Sequence, residues 1–270
     1  MPAMPSPAGV HPTAIVAPGA ELAPGVQVGP YSIIGDQVRI GPGTRVGAHA
    51  ILEGPTDIGR DCQIASHAVL GTAPQDLKYR GEATRLRVGD GVVVREFATL
   101  NRGTVGGGGL TSVGDRSVLM AYCHVAHDCH LGCGVIMANC ATLAGHVIIE
   151  DHAIIGGLAG IHQFIKIGRH ALVGACSGVL KDIPPFVKAQ GVRAKLYGLN
   201  SVGLRRHQFA PEVIRRLKAA YRLLFHGGLN TSQALEQIAS EVEGCAEVEH
   251  LVAFIKSSTR GVARAHRGGE

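Results

Sequence analysis

The sequence predicts a β-solenoid of hexapeptide repeats over residues 1–190, followed by a small α-helical domain over 191–270. Three observations carry this. An aliphatic residue recurs at every sixth position through most of the chain, and the residue four places after it is small. The composition is 46% hydrophobic yet only 4% aromatic, with 38 Gly and no Trp. A globular core of that size uses more large rings. A thin interior filled many times over by small aliphatic side chains does not need them.

Taken in order, the series runs Val10, Val16, Leu22, Val28, Ile34, Ile40, Val46, Leu52, Ile58, Ile64 and Leu70. It resumes in phase at Val88, Val94 and Leu100, then restarts one step out of phase at Val113 and continues to Val179. Of these 26 positions only Met137 is not Leu, Ile or Val. The small position includes Ala14, Ser32, Thr44, Cys62, Ala98, Cys123, Cys129 and Ala141, and Gly often follows the aliphatic residue, as at Gly29, Gly41 and Gly156. One large and one small residue per hexad fill a narrow prism, and glycine permits its corners.

Two stretches break the period and read as inserted loops, at 72–87 and about 106–112. Loops on a rigid scaffold often carry binding groups, here Asp76, Lys78, Arg80 and Arg85. The run of glycines at 106–109 lacks the Gly-Lys-Ser/Thr of a phosphate loop and reads as a flexible loop. Beyond about 190 the spacing turns helical over 211–226, where Pro211 suits a first turn, and over 231–243 and 246–258.

The net charge of +5 is mild, and no Lys/Arg run marks a nucleic-acid arm. No stretch of 18 apolar residues spans a membrane, and the first residues have neither the basic region nor the apolar core of a signal peptide. Seven Cys without a CxxC pair fit reduced thiols and a cytoplasmic protein, with Cys62, Cys123 and Cys129 in the core.

The segment "AYCHVAHDCHLG" (121–132) holds His124, His127 and His130. If three hexads form one coil, residues 18 apart stack about 4.7–4.9 Å from each other. His124, His127, Gly145, His146, His162 and Gln163 then gather on one edge of three coils. His152 and His170 stack on each other on a different face with nothing else polar and distinctive nearby, His49, His67 and His130 read as isolated, and all five read as solvent-facing. The cluster fits either a divalent metal that activates water or a histidine general base with binding partners. Asp128 is placed to orient His127 only if the chain bends between them, and the Gly145 N–H is placed for an oxyanion.

The segments "QDLKY" (75–79), "NRGT" (101–104), "HVAHDC" (124–129), "ATLAGHV" (141–147), "IHQF" (161–164), "GACSGV" (174–179) and "STRG" (258–261) resemble the UDP-N-acetylglucosamine O-acyltransferase family of lipid A synthesis. The resemblance implies a left-handed β-helix, a homotrimer with active sites between subunits, and acyl transfer from a 3-hydroxyacyl-acyl carrier protein to the sugar 3-hydroxyl. It implies His127 as general base and Gly145 as oxyanion donor. Asp76, Lys78, His124, His146, His162 and Gln163 would line the substrate pocket, with Asn200 and Arg206 on the nucleotide. Neither a metal nor an organic cofactor is implied, because the thioester is already activated. Val202 stands where the family often has an acidic residue, and Ala175 where it often has Gly at the end of the acyl groove. Arg205, Arg206, Arg215, Arg216, Lys218 and Arg222 are candidate docking groups for the acidic carrier protein. A 3-amino acceptor sugar, and a metal-dependent enzyme of the γ-carbonic anhydrase kind, are the alternatives.

Overall fold

A computed structural model describes residues 9–242 and 244–266. Residues 1–8, position 243 and residues 267–270 lie outside the described residues, and with them most of the N-terminal stretch and the end of the 231–243 helix.

Each hexad forms a two-residue strand and a turn, and the strands stack into three parallel sheets of nine, eight and ten strands among the described residues. The third of these ends on one antiparallel strand, Lys195–Leu199. The coil is a left-handed parallel β-helix, an exception to the usual right-handed crossover. Residues 18 apart are register partners, as in His124 with Thr142, Thr142 with Gly160, and Gly160 with Gly178. Across the inserted loops the pairing becomes Leu70 with Leu100 and Leu100 with Val125.

Corners of the prism place many non-glycine residues at positive φ, including His49 (57°), Asp128 (58°) and His146 (61°). Such a conformation costs about 1–2 kcal/mol per residue. Backbone bonds between coils offset it, such as His49 N–H to Pro30 O at 3.0 Å and His146 N–H to His127 O at 3.0 Å.

Inside, Ile34, Leu52, Leu70, Leu100, Leu119 and Leu143 are fully buried, and so are the small residues Ser32, Thr44, Cys62, Ala98, Cys129 and Ala141. The polar ones are satisfied: Ser32 donates to Gly47 O at 2.6 Å and Thr44 to Gly59 O at 2.8 Å. Burial pushes the Cys123 thiol up to about 11 and the Cys129 thiol up to about 12, which suits small hydrophobes rather than nucleophiles. Val10 is 45% exposed because it begins the stack.

The inserted loops are shorter than the sequence suggests. Strands run over Val69–Thr72 and Arg85–Val88, so Arg85 belongs to a strand, where it pairs with Asp57 at 3.4 Å. The second loop holds a short 3-10 turn at Val105–Gly107 and a strand at Leu110–Val113. At Gly107 it packs against the site, where a Cβ would overlap the Asp128 carboxylate.

The histidines read as isolated are not. His49 and His67 stack in a ladder with Tyr31, Phe97 and Tyr122, at centroid spacings of 4.9–5.2 Å. His130 lies 2.9 Å from the Ser112 hydroxyl. His170, expected to face solvent, is instead buried where it and His152 meet His207 from the next domain. Residues 18 apart in one corner are forced into register, so their rings stack whatever their role.

The strand Val187–Gln190 joins the third sheet in parallel and pairs antiparallel with Lys195–Leu199, carrying that sheet past residue 190. Among the described residues four helices follow: α1 (Ser201–Arg206), α2 (Pro211–His226), α3 (Thr231–Glu241) and α4 (Ala246–Ser257). The six residues of α1 are too few for a periodic pattern. Helix α2 has Pro at its first position, and α3 begins in a capping box of Asn230 and Gln233. Among the described residues no helix is long and apolar enough to cross a membrane.

Candidate active site

Two consecutive residues on a strand face opposite ways, yet His127 and Asp128 meet. The positive φ of Asp128 turns the chain at the corner and brings Asp128 Oδ2 to 2.8 Å from His127 Nδ1. The Asp128 carboxylate is buried and further held by the Thr104 N–H on Oδ1 (2.8 Å) and the Thr104 hydroxyl on Oδ2 (2.7 Å). Its own N–H donates to Thr111 Oγ1 at 2.8 Å. An ionised carboxylate only accepts, so the shared proton sits on Nδ1 and leaves Nε2 with a lone pair.

That Nε2 faces Gly145. A Cβ at 145 would lie 2.7 Å from Nε2 and 2.6 Å from Cε1, so only glycine leaves the ring in place. Among the described residues no acceptor lies against the Gly145 N–H. A lone pair for a proton and a free N–H for an oxyanion therefore stand side by side.

His146 packs edge-on against His127 at 5.1 Å and stacks on Phe164 at 4.4 Å, with Nε2 3.7 Å from Asp128 Oδ2. Burial lowers its pKa from the ordinary value, opposed by the charges of Asp128 and Asp76. His124 Nδ1 lies 2.7 Å from the Thr99 hydroxyl, and burial, with His127 nearby, lowers its pKa as well. Both imidazoles thus favour the neutral form.

A cavity of about 480 Å³ opens over these groups. Of the residues read from the sequence, it brings together His124, His127, Gly145 and His162, and it is walled by Gln75, Ala126, Thr142, Leu143, Ala144, Gly160, Ile161 and Leu180. His146 stands behind His127, and Gln163 is exposed outside the cavity. Asp76 does not line it either: its Oδ1 accepts the Lys78 N–H at 2.9 Å, and Lys78 is exposed. Ala175 sits exposed on a neighbouring corner, outside the lining.

Asn200 and Arg206 also stand apart from this cavity. Asn200 is buried as the N-cap of α1, accepting from Gly203 N–H at 3.1 Å and donating to His170 O at 3.1 Å. Arg206 is exposed in the last turn of α1. A larger cavity, about 1150 Å³, lies among α2, α4 and the C-terminal segment, with Lys195, His226 and Arg264 on its walls but no paired base.

Thr104 and Thr111, which hold Asp128, and Gly107, whose missing Cβ leaves room for its carboxylate, do not stand out individually in the sequence. Their signal was the "NRGT" segment and the glycine run beside it. In the same segment Asn101 and Arg102 hold the first loop: Asn101 Nδ2 donates to Thr72 and Ala73, and Arg102 reaches Gly54 O and Gly71 O at 2.8 Å and Tyr79 at 3.2 Å.

His127, Asp128 and His146 offer three donors within 4.8 Å of one another. Zinc nitrogen bonds are about 2.0–2.1 Å. Here Asp128 Oδ2 already accepts from Thr104 and His127, so the set fits a held proton better than a metal.

The parallel β-helix of hexads places the chain among the hexapeptide-repeat proteins, and the bacterial transferase hexapeptide model (six repeats) matches residues 37–72. The model for UDP-N-acetylglucosamine O-acyltransferase, domain 2, matches residues 182–263. An acyl-(acyl-carrier-protein)–UDP-N-acetylglucosamine O-acyltransferase of Alkalilimnicola ehrlichii is 55% identical over 94% of this chain and 99% of its own. LpxA of Acinetobacter baumannii is 44% identical, with a TM-score of 0.92 over 94% of this chain and 99% of that one. The UDP-N-acetylglucosamine O-acyltransferase (LpxA) of Moraxella catarrhalis is 40% identical, also at 0.92 and over the same shares. The chain belongs to the acyl-(acyl-carrier-protein)–UDP-N-acetylglucosamine O-acyltransferase family.

Proposed function

We propose that this enzyme transfers a 3-hydroxyacyl chain from acyl carrier protein to the 3-hydroxyl of UDP-N-acetylglucosamine, in lipid A synthesis. The observation that carries the chemistry is the His127–Asp128 pair, with Nε2 free beside the Gly145 N–H.

His127 Nε2 takes the proton of the sugar hydroxyl as its oxygen attacks the thioester carbonyl carbon. The carbonyl oxygen becomes an oxyanion beside the Gly145 N–H. Asp128 holds the imidazolium that forms. Collapse breaks the C–S bond, and the imidazolium returns its proton to the departing thiolate. No external base is needed, and the site ends as it began.

The apolar walls Leu143, Ala144, Ile161 and Leu180 suit a hydrocarbon chain beside the polar edge. The outer face of the first sheet runs from the His127 corner across Thr142, Gly160 and Gly178 to the corner that carries Ala175, so an acyl chain laid over it ends there. Arg206 would reach the nucleotide from a neighbouring subunit of a trimer, which accounts for its distance from the cavity within one chain, while Asn200, buried with both side-chain polar atoms spent on the α1 cap and His170 O, would hold that helix in place. His146, Gln163, Asp76 and Lys78 would border the sugar there. Arg205, Arg206, Lys218 and Arg222 remain candidates for docking the carrier protein, while Arg215 and Arg216 pair with Glu212 on their own helix. Seven free thiols suit a cytoplasmic location.

The test is acyl transfer from 3-hydroxyacyl carrier proteins of several lengths, with wild type and His127→Ala side by side. A wild-type rate that falls at least about a hundredfold in the variant supports the base. Transfer only to a 3-amino acceptor moves the acceptor assignment, and stoichiometric zinc with no transfer replaces the reading.

A further inference from the structure

The segment "STRG" (258–261) lies far along the chain from the catalytic pair, and the chemistry above leaves it without a part. The structure returns it to the cavity. Asp182, fully buried on the last coil, accepts the Lys166 N–H on Oδ1 at 2.8 Å and the Ser258 hydroxyl on Oδ2 at 2.7 Å. Its backbone pairs with Gly261 and Ala263, and Lys181 Nζ donates to Arg260 O at 2.6 Å. This staple delivers the Arg260 guanidinium to 3.1 Å from Nδ1 of His162, a wall of the cavity.

Two groups compete for that one nitrogen. The Gln163 carbonyl oxygen lies 3.2 Å from Nδ1 and can only accept, so it asks for a proton there. Arg260 can only donate, so it asks for a lone pair. The two demands exclude each other. A charged donor makes the stronger bond, and the carbonyl contact is between adjacent residues whose geometry the chain imposes anyway.

We propose that Arg260 is a positioning residue that sets the tautomer of His162, fixing the ring proton on Nε2 as a donor into the cavity. His127 and His162 then present opposite faces to the substrates: a lone pair at His127 Nε2 and an N–H at His162 Nε2. The floor beside His162 is Gly160, Ile161 and Leu180, so the oxygen it meets belongs to the acyl donor rather than to the sugar. Without Arg260 the Gln163 carbonyl claims the Nδ1 proton, and Nε2 becomes an acceptor facing an acceptor. The assignment of this donor to the acyl chain rests on the acyl-transfer reading; the tautomer itself does not.

The experiment is nitrogen-15 NMR of ring-labelled histidines in the full-length enzyme, with the His162 signals assigned by their loss in His162→Gln. It is run on wild type, Arg260→Met and Arg260→Lys, together with steady-state kinetics for both substrates. Expected are a protonated Nε2 in wild type, a protonated Nδ1 in Arg260→Met, and the wild-type pattern in Arg260→Lys, which also only donates. The acyl-donor KM rises about tenfold in Arg260→Met, the size of one lost hydrogen bond, with the sugar KM within twofold. Recovery in Arg260→Lys separates this from damage to the staple, which Ser258→Ala weakens while leaving the guanidinium present. A protonated Nδ1 in wild type, an unchanged tautomer in Arg260→Met, or a changed tautomer with unchanged KM each overturns the proposal. A wild type without transfer activity refutes the acyl-transfer reading and the acyl-donor assignment with it, while the ring spectrum still decides the tautomer.

Discussion

Gly145→Ala probes how closely the base is placed. The added Cβ would stand 2.6 Å from His127 Cε1 and 2.7 Å from Nε2, with the ring as its nearest neighbour. Carbon atoms settle about 3.5–4.0 Å apart, so the ring must retreat by about 1 Å. A side chain yields more readily than backbone, and Gly145 does not need positive φ. The fold should therefore survive. The His127–Asp128 bond at 2.8 Å cannot follow that movement, because Asp128 is fixed by Thr104 and by its own backbone. A misplacement of about 1 Å costs about 10²-fold in rate, or about 2.7 kcal/mol of barrier. The assay is kcat for acyl transfer, paired with thermal unfolding. The expected result is a hundredfold loss of kcat with a single cooperative melt lowered by about 3–12 °C, since the strained bond to the buried Asp128 carboxylate is worth about 1.5–3 kcal/mol. A variant that keeps kcat within threefold would refute the argument that the glycine exists to admit the ring.

Thr104→Val keeps the backbone donor to Asp128 but removes the hydroxyl, a hydrogen bond to a buried charge worth about 1.5–3 kcal/mol; denaturant unfolding should show that loss, and kcat should fall with it. His170 is held down to about 4 from its ordinary 6.5, chiefly by burial and then by His207 and His152. A folded-state pKa below the unfolded one means the unfolded chain binds more protons, so the contribution is intact above about pH 6.5 and drains away as pH falls toward about 4. Melting temperature should drop across that window, and His170→Phe should flatten the drop. A Cβ on Gly160 meets nothing within 4 Å and Gly160 lies on the cavity floor, so Gly160→Val should fold normally yet slow transfer of the longest acyl chains first, as read by a chain-length panel.

The hexad series was legible residue by residue, from Val28 to Val179, because a solenoid repeats one local environment and each aliphatic residue points into the same narrow core. The 18-residue stacking follows from the same period, and it puts His127 beside Gly145, where the structure has it. Helices α2 and α4 were legible from their apolar spacing; α1 was not, being one and a half turns held by the Asn200 cap. The ladder of His49 and His67 with Phe97 is not legible from neighbours in the chain, because it joins rings of different residue types in one corner across an inserted loop.

By itself the sequence determined the repeat, the coil and the edge on which the histidines gather, since these depend only on local period and steric size. Tertiary structure alone decided the rest. The bend at Asp128 turns adjacent side chains toward each other, a backbone angle that no spacing rule contains. Thr104 reaches Asp128 across an inserted loop whose path is set by Asn101 and Arg102. Arg260 meets His162 from 98 residues away because a buried carboxylate at Asp182 ties the end of the chain to the last coil. Such contacts join segments of unrelated period, and only the packed molecule brings their atoms within hydrogen-bond reach.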